Sequence, residues 1–335
     1  MIKKVLLVLF FIVLTGAIAV TLLAWDLSNF SHKPAGTEQI DQQIVIRSGL
    51  GFNQVTDILY ERGLITHKWR FRLVARVKKA DKKLKAGEYL MSTDMTPIQI
   101  LDKLVSGKVL LHRLTIPEGY NLNQIAETAE TAGFNKSADF LFAATRSKYA
   151  RELNIPADTF EGYLFPDTYF FPSGVTPDEI IATMVHRFWT QFPDEFRTRA
   201  DELGLSIHQV VTLASIIEKE TGAASERPLI SSVFHNRLKK KMRLESDPTV
   251  IYGIEDFDGN IKRSHLRAKT PYNTYQIRGL PPGPIASPGR DAVKAALFPA
   301  DTSFLFFVSK KDSTHYFSKT IAEHNKAVKK YQLRR

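Results

Sequence analysis

The chain has 335 residues, and 46 Lys and Arg against 35 Asp and Glu give it a formal net charge of +11. It contains no cysteine, which excludes disulfides and thiol chemistry, and its nine histidines are scattered without metal-site spacing. We therefore predict neither a metal nor a cofactor. The positive charge would suit nucleic acid in the cytoplasm, and anionic lipid or cell-wall polymer outside it.

The N-terminus predicts a membrane anchor. Lys3 and Lys4 precede a charge-free run over 5–25, and about 20 apolar residues span a bilayer as a helix. The lysines favour a cytoplasmic N-terminus over 1–4, so the rest of the chain would lie outside the cytoplasm. A cleaved signal peptide is the alternative, but its apolar region would be unusually long. Because of this topology, we expect no nucleic-acid partner.

An internal repeat follows a polar linker that we predict over 26–43. At an offset of 70 residues, Ile46-Arg47-Ser48-Gly49 corresponds to Ile116-Pro117-Glu118-Gly119. Each copy predicts a short strand, a glycine turn, and a helix that begins near an Asn-Gln pair. The repeat therefore indicates two related strand-turn-helix units.

The first copy belongs to a small α+β module that we predict over 44–112. A strand-like segment over 85–90 and a helix over 96–105 complete it. The module resembles LysM-like modules, which bind glycans that contain N-acetylglucosamine. The alternative is a spacer that holds the second domain away from the membrane.

Residues 113–335 predict a larger α+β domain. Apolar periodicity indicates a buried strand over 304–308 that forms a hairpin with 315–318. The predicted helices cover the ranges 177–199, 206–222, 225–239 and 321–333.

The segment 206–222 predicts a core helix that carries two carboxylates near its end. Ser206 is a suitable N-cap, Gly222 is a suitable terminator, and most of the helix circumference between them is apolar. Glu218 and Glu220 occupy positions where such a helix normally carries apolar side chains. Burying a carboxylate costs several kcal/mol unless it is paired or protonated. Both glutamates are therefore candidates for proton chemistry.

Glu218 is the better catalytic candidate of the two. The residues that fall within about 40° of it on a helical wheel are all apolar or small: Ile207, Val211 and Ala214. Glu220 lies on the other side of the helix. The alternative is that one or both glutamates are buried partners of an arginine, such as Arg227 or Arg237.

Three further stretches combine polar side chains with rings or rigid turns. They are 161–169 with Glu161 and Asp167, Ser246-Asp247-Pro248-Thr249, and Tyr272-Asn273-Thr274-Tyr275, which precedes a run rich in Pro and Gly over 279–289. Such runs fix the backbone shape and expose peptide groups, which suits the wall of a substrate site. A tight surface loop and ordinary core packing are the alternatives.

Together these features resemble the YceG-like family of endolytic murein transglycosylases. The motifs that carry the resemblance follow the anchor and the LysM-like module: Ala-Ser-Ile-Ile-Glu218-Lys-Glu-Thr, Ser-Asp247-Pro-Thr-Val, Tyr272-Asn-Thr-Tyr, Gly279-Leu-Pro-Pro-Gly and Glu323-His324-Asn325. The resemblance runs from the anchor to residue 325.

The resemblance implies cleavage of the β-1,4 bond between N-acetylmuramic acid and N-acetylglucosamine without water, leaving a 1,6-anhydro ring. The family's catalytic glutamate falls on Glu218, which would act first as general acid and then as general base. The resemblance also implies a protein of the cell inner membrane with a periplasmic domain. Its implied partners are peptidoglycan strands and the peptidoglycan synthases, beside which it would terminate nascent strands.

The roles of the other polar residues are hypotheses. Glu220 is expected to orient Glu218 or to hold an arginine. The residues expected to contact sugar are Asp247, Tyr272, Asn273, Tyr275 and Glu161. If Glu161 or Asp167 faced Glu218 across a water molecule, hydrolysis with inversion would become possible. The alternative function is a non-catalytic, membrane-tethered scaffold that binds peptidoglycan.

Overall fold

The computed structural model describes residues 2–333 and has the α+β architecture that the sequence predicts. Two compact units follow one another along the chain, with the boundary between His112 and Arg113. The predicted ranges 1–4 and 113–335 include Met1, Arg334 and Arg335, which lie outside the described residues.

The first unit combines a long N-terminal helix with a two-stranded sheet and three short helices. Its elements are α1 (Ile2–His32), β1 (Asp41–Ile46), α2 (Phe52–Glu61), α3 (Lys68–Val77), β2 (Gly87–Ser92) and α4 (Pro97–Ser106). The strands are antiparallel, with Ile44 opposite Tyr89. Because side chains alternate along a strand, Ile44 and Ile46 enter the core while Val45 faces outward.

Helix α1 is long and apolar enough to cross a membrane. It does not end at Trp25 but continues to His32, so the first seven residues of the predicted linker are helical. Its last turns contact α3, where Phe30 is buried in the core of the first unit. The helix extends this far because no proline interrupts it before Pro34.

Helix α3 was missing from the sequence prediction. Its buried face holds Phe71, Val74 and Ala75, but three arginines within ten residues weaken the apolar pattern. The basic residues from Arg76 to Lys79 are exposed at the end of this helix, whose opposite face packs against the core.

The second unit is mostly helical, with two small sheets. Its helices are α5 (Leu122–Thr131), α6 (Ser137–Ala144), α7 (Ser147–Glu152), α8 (Pro177–Gln191), α9 (Asp194–Glu202), α10 (Ile207–Glu220), α11 (Arg227–Lys239), α12 (Asp247–Tyr252), α13 (Arg263–Arg267), α14 (Arg290–Leu297) and α15 (Ile321–Tyr331). Its strands are β3 (Leu111–Thr115, which begins just before the boundary), β4 (Thr168–Pro172), β5 (Phe306–Ser309) and β6 (His315–Ser318). Strand β3 pairs with β4, and β5 and β6 form the predicted antiparallel hairpin.

Three sequence predictions for the second unit need correction. The helix predicted over 177–199 is two helices, because Pro193 lacks the N–H that would continue α8. The strand predicted as buried is only half-buried apart from Val308. Helix α14 was not predicted at all, since it directly follows the run of prolines and glycines.

The core of the second unit centres on α10, which packs against α14. Every residue over 210–217 is buried. The loop rich in Pro and Gly lies against this helix. Gly162, from a third segment, packs closely against both the loop and the helix. Gly162 has φ +81°, and a Cβ there would lie 2.5 Å from Pro284 Cβ and 3.0 Å from Val211 Cγ1.

We expect Gly162→Ala to destabilise the fold more than Gly174→Ala does. Both glycines have positive φ, so both substitutions add backbone strain, but a Cβ at Gly174 meets nothing within 4 Å. The difference isolates the overlap with Pro284 and Val211, which should cost about 1–3 kcal/mol. Chemical denaturation of the two variants measures it, and equal losses would contradict the packing described for this loop.

Candidate active site

Helix α10 positions Glu218 at the edge of the core. Ser206 caps its first turn, since Ser206 Oγ accepts from Gln209 N at 3.2 Å and Gln209 Oε1 accepts from Ser206 N at 2.8 Å. The helix then runs through eight consecutive buried residues, as the sequence predicts. Glu218 follows directly, and only 8% of its side chain is exposed.

Two donors hold the Glu218 carboxylate. Arg227 Nη2 lies 3.0 Å from Glu218 Oε1, and the backbone N–H of Gly289 donates to Glu218 Oε2 at 3.1 Å. Arg227 begins α11, and its side chain is 13% exposed. The arginine partner that the sequence left as an alternative is therefore present. A charged hydrogen bond and an amide hydrogen bond, one to each oxygen, fix the orientation of this carboxylate.

Two further carboxylates contact the same guanidinium. Glu118 Oε2 lies 3.4 Å from Arg227 Nη2, and Asp291 Oδ2 lies 3.7 Å from Arg227 Nη1. Burial raises the pKa of Glu118, the charge of Glu218 raises it further, and Arg227 opposes both effects. Three carboxylates thus surround one arginine, and burial together with the charges of Glu218 and Asp291 favours the protonated form of Glu118.

The sequence analysis did not select Glu118, although a signal was available. Glu118 stands in the second copy of the internal repeat, where the first copy has Ser48. The two glycine turns are otherwise similar, so the fold does not require a carboxylate at position 118. The difference between Ser48 and Glu118 could therefore have indicated a functional residue. Gly119, with φ +76°, then brings this turn within contact of α10.

Backbone hydrogen bonds join the Glu118 turn to the loop rich in Pro and Gly. Gly119 N donates to Ser287 O at 2.9 Å, and Ser287 N donates to Tyr120 O at 2.8 Å. Lys219 Nζ donates to Gly119 O at 3.1 Å, which ties the turn to α10. The turn, the loop and the end of α10 therefore form one rigid frame around Glu218.

Glu220 belongs to a different cluster, which we call the Ser246 cluster: Glu220, Ser246, Asp247 and Tyr275. Ser246 Oγ donates to Glu220 Oε1 at 2.6 Å, and Tyr275 OH donates to Asp247 Oδ1 at 2.8 Å. Burial raises the pKa of Glu220 to about 7, against the opposing effect of the Ser246 hydrogen bond. The expectation that Glu220 orients Glu218 needs correction, because Arg227 and Gly289 perform that role.

Asn273 and Tyr272 make contacts within the second unit that hold its own segments together. Asn273 is fully buried, and its Nδ2 donates to His265 O at 3.0 Å and to Ala268 O at 2.7 Å. Its side chain therefore has no exposed surface for the sugar contact that the sequence suggested. Tyr272 packs against Tyr252, with ring centroids 4.8 Å apart.

Asp167 and Glu161, the two carboxylates considered for hydrolysis, bond to other residues of the second unit. Arg187 Nε lies 2.7 Å from Asp167 Oδ2. Glu161 is buried, and its Oε2 accepts from Tyr252 OH at 3.0 Å and from Leu122 N at 3.3 Å. Burial raises the pKa of Glu161 to about 7, against these hydrogen bonds. Neither carboxylate contacts the arginine that holds Glu218.

This arrangement suits proton transfer. Glu218 is oriented and almost fully buried, its charge is compensated by Arg227, and Glu118 supplies a second, half-exposed carboxylate. Within residues 2–333, no group of three or more His, Asp or Glu side chains is arranged to hold a metal ion.

Comparisons with known proteins agree with this chemistry. The model of the YceG-like family matches residues 44–330. A Bacillus subtilis protein named endolytic murein transglycosylase is 33% identical over 306 residues, which cover 86% of this chain and 84% of that protein. A Streptococcus pneumoniae protein of the same name is 29% identical, and the match covers 84% of this chain and 57% of that protein.

A solved structure is also similar to this chain. The crystal structure of a yceG-like protein from Listeria monocytogenes matches with a TM-score of 0.60 and 34% identity. The match covers 85% of this chain and 98% of that one. The similarity therefore extends over both compact units rather than over a single motif.

We expect the stability of Glu161→Gln, relative to the wild type, to increase as the pH rises from 5 to 8. The folded protein keeps a proton on Glu161 up to about pH 7, whereas the unfolded chain loses it near 4.5. This group therefore lowers stability as the pH rises between those values, by up to about 3 kcal/mol. Glutamine does not ionise, so the variant does not lose this stability, and its amide oxygen can still accept the hydrogen bond from Tyr252 OH.

Thermal unfolding at pH 5 and pH 8 measures this effect, with the exposed Glu127→Gln as a matched loss of one carboxylate. The difference in Tm between Glu161→Gln and the wild type should move in favour of the variant from pH 5 to pH 8. A difference that does not change with pH would show that Glu161 is not a protonated acid in the folded protein.

Proposed function

Because the chain belongs to the YceG-like family, we propose that Glu218 performs the proton transfers by which this protein cleaves peptidoglycan. The protein is a lytic transglycosylase, as the names of its relatives support. The observation that carries the proposal is the nearly buried Glu218 carboxylate, held by Arg227 and by the N–H of Gly289. These donors fix its orientation before substrate binds.

The reaction needs one group that first gives and then takes a proton. Glu218 protonates the oxygen of the glycosidic bond between the muramic acid C1 and the glucosamine O4, and that bond breaks. The C6 hydroxyl oxygen of the muramic acid bonds to C1, and its proton passes to Glu218. No water is consumed, the product ends in a 1,6-anhydro ring, and Glu218 is ready for another cycle.

The neighbouring charges support both steps. Burial raises the pKa of Glu118 and the charge of Glu218 raises it further, so the carboxyl group beside Glu218 holds a proton more readily before the first step. Arg227 then compensates the negative charge that remains on Glu218 once the proton has left. We therefore assign the proton chemistry of the site to Glu118, Glu218 and Arg227 together.

Glu118 is poorly placed for hydrolysis with inversion. Glu118 Oε2 and Glu218 Oε1 contact the same Arg227 nitrogen, at 3.4 and 3.0 Å. Two oxygens that share one donor leave less room between them than the roughly 6.5–9.5 Å that inverting enzymes keep for water. This geometry favours the reaction without water.

A surface next to the Glu118 turn is suited to the glycan. Tyr120 and one face of α5 line a depression of about 440 Å³, together with Gln124, Glu127, Thr128, Thr131 and Ala132. An aromatic ring beside amide, hydroxyl and carboxylate groups can stack on a sugar face and accept its hydroxyl hydrogen bonds. We assign this depression to the strand that enters the site.

Anchoring by α1 would keep the enzyme beside its substrate. Lys3 and Lys4 favour a cytoplasmic N-terminus, so we propose that α1 crosses the cell inner membrane and that the second unit lies in the periplasm. Peptidoglycan is assembled on that side. Termination of nascent strands beside peptidoglycan synthases, and glycan binding by the first unit, remain predictions from the sequence.

We expect Glu218→Gln to lower cleavage of purified peptidoglycan by about 10²–10⁴-fold, because glutamine cannot carry the transferred proton. Glutamine keeps an oxygen for one of the two donors, so the fold and glycan binding should persist. Mass spectrometry of the products from wild type should show 1,6-anhydro ends. Reducing ends in their place would contradict the transglycosylase mechanism.

Glu220→Gln is the matched comparison, two residues away on the same helix. Its carboxylate is also buried but bonds to Ser246, so we expect this variant to retain cleavage. Loss of cleavage in Glu220→Gln with activity retained in Glu218→Gln would transfer the acid role to Glu220. Binding to insoluble peptidoglycan without product from the wild type would favour the scaffold.

We expect Glu118→Gln to move the basic limb of the pH–rate profile to lower pH. The pKa of Glu118 is raised by burial and by the charge of Glu218, and glutamine removes this proton-holding group, so cleavage at pH 7 should fall by about tenfold. Asp291→Asn removes the most exposed carboxylate on Arg227 and should have a smaller effect. An unchanged profile in Glu118→Gln would exclude Glu118 from the proton chemistry.

A further inference from the structure

A groove lies in the first unit where α1 would leave the bilayer. It has a volume of about 270 Å³. Its lining residues are mostly apolar and come from α1, α3 and α4: Ala24, Leu27, Ser28, Ser31, Val74, Val77, Lys78 and Ile98. The catalytic chemistry does not use this groove.

The groove lies beside the end of the apolar run of α1. Ala24 lies one residue before the end of the charge-free run, and it lines the same groove as Val77 and Lys78. An ion pair between Arg70 Nη2 and Asp26 Oδ1, at 2.9 Å, fastens α3 to α1 just beyond the span. The ion pair ties the first turn of α3 to α1, and the C-terminal residues Val77 and Lys78 line the groove with Ala24.

The side chains around the groove are those expected at a bilayer interface. Trp25, Trp69 and Val77 are 68%, 52% and 71% exposed, so large apolar groups face outward at this end of the unit. Tryptophan is enriched at the level of the headgroups, where its ring is apolar and its N–H reaches a polar partner. Of these three, Val77 lines the groove itself, and an exposed apolar side chain in an apolar groove indicates a covered surface.

The charge at the groove selects an anionic ligand. Residues 76–85 contain six Lys or Arg and one Asp, and Lys78 itself lines the groove. Arg76 and Lys79 beside it are exposed. Each cation held near an anionic bilayer surface contributes through attraction to the phosphate layer.

We propose that this groove binds an anionic phospholipid of the bilayer that α1 spans. One acyl chain packs against Leu27, Val74, Val77 and Ile98, and the phosphate contacts Lys78 and its cationic neighbours. The bound lipid fixes the first unit on the membrane surface. The inference rests on the proposed membrane anchoring by α1 and is independent of the cleavage mechanism.

A single spin label can test the proposal, because the chain has no cysteine and Val77→Cys creates a unique labelling site. Full-length protein is placed in nanodiscs of phosphatidylcholine, with or without phosphatidylglycerol, and power-saturation EPR compares access to oxygen and to a water-soluble nickel complex. We expect the label to be immersed in the presence of phosphatidylglycerol and less immersed without it. Val45→Cys, exposed on the outer face of β1, should stay in water in both.

Charge reversal tests the headgroup contact. Lys78→Glu combined with Lys79→Glu should reduce the immersed population at position 77 by about tenfold or more, since two attractions become repulsions. Lys239→Glu with Lys240→Glu makes the same change in net charge on the second unit and should have no effect.

Several results would overturn the proposal. A label at 77 that stays in water in both bilayers would show an empty groove, and equal immersion in both would exclude selection of anionic lipid. Protein that elutes apart from the nanodiscs would overturn the anchoring, and the lipid site with it. Cleavage of peptidoglycan, assayed on the same samples, reports separately on the catalytic site.

Discussion

The charge of Arg227 is the constraint on which the site depends. A nearly buried carboxylate at the end of a core helix is stable only when a partner compensates it, and Arg227 lies 3.0 Å from Glu218. The same guanidinium also contacts Glu118 and Asp291, so one cation serves three anions. Arg227 thus keeps Glu218 in place, while burial and the neighbouring carboxylates raise the pKa of Glu118.

The fold supplies this arrangement by bringing distant segments together. Glu118 lies 109 residues before Arg227, and Gly289 lies 71 residues after Glu218. The glycine turn at Gly119 and the rigid loop over 279–289 hydrogen-bond to each other and enclose the end of α10. This backbone frame and the Arg227 side chain together hold Glu218 in one orientation.

Two other buried glutamates of the second unit, Glu161 and Glu220, hold its segments together. Glu161 and Glu220 are both acids whose pKa burial raises to about 7, yet each bonds to a hydroxyl, of Tyr252 and Ser246 respectively. They connect helices and loops around the core. A raised pKa is therefore not sufficient to select a candidate catalytic group in this protein, and Glu218 differs from both acids in its contact with Arg227.

The sequence alone determined the features that depend on local pattern. The apolar run of α1, the capped core helix α10 and the β5–β6 hairpin follow from spacing and composition, and the α+β class follows from them. The helical wheel also makes Glu218 the better catalytic candidate, and that assignment stays a prediction. The break at Pro193 was readable from the same rules but was missed.

Only the tertiary structure decided which charges meet. Both Arg227 and Arg237 were candidate partners from spacing, and Glu118 was visible only as one residue of a repeat. Asn273 was a candidate for sugar contact, but it is buried and its amide donates to carbonyls at the C-terminal end of α13. Side-chain periodicity reports which face of an element is buried, but ion pairs depend on long-range chain crossings that no local pattern encodes.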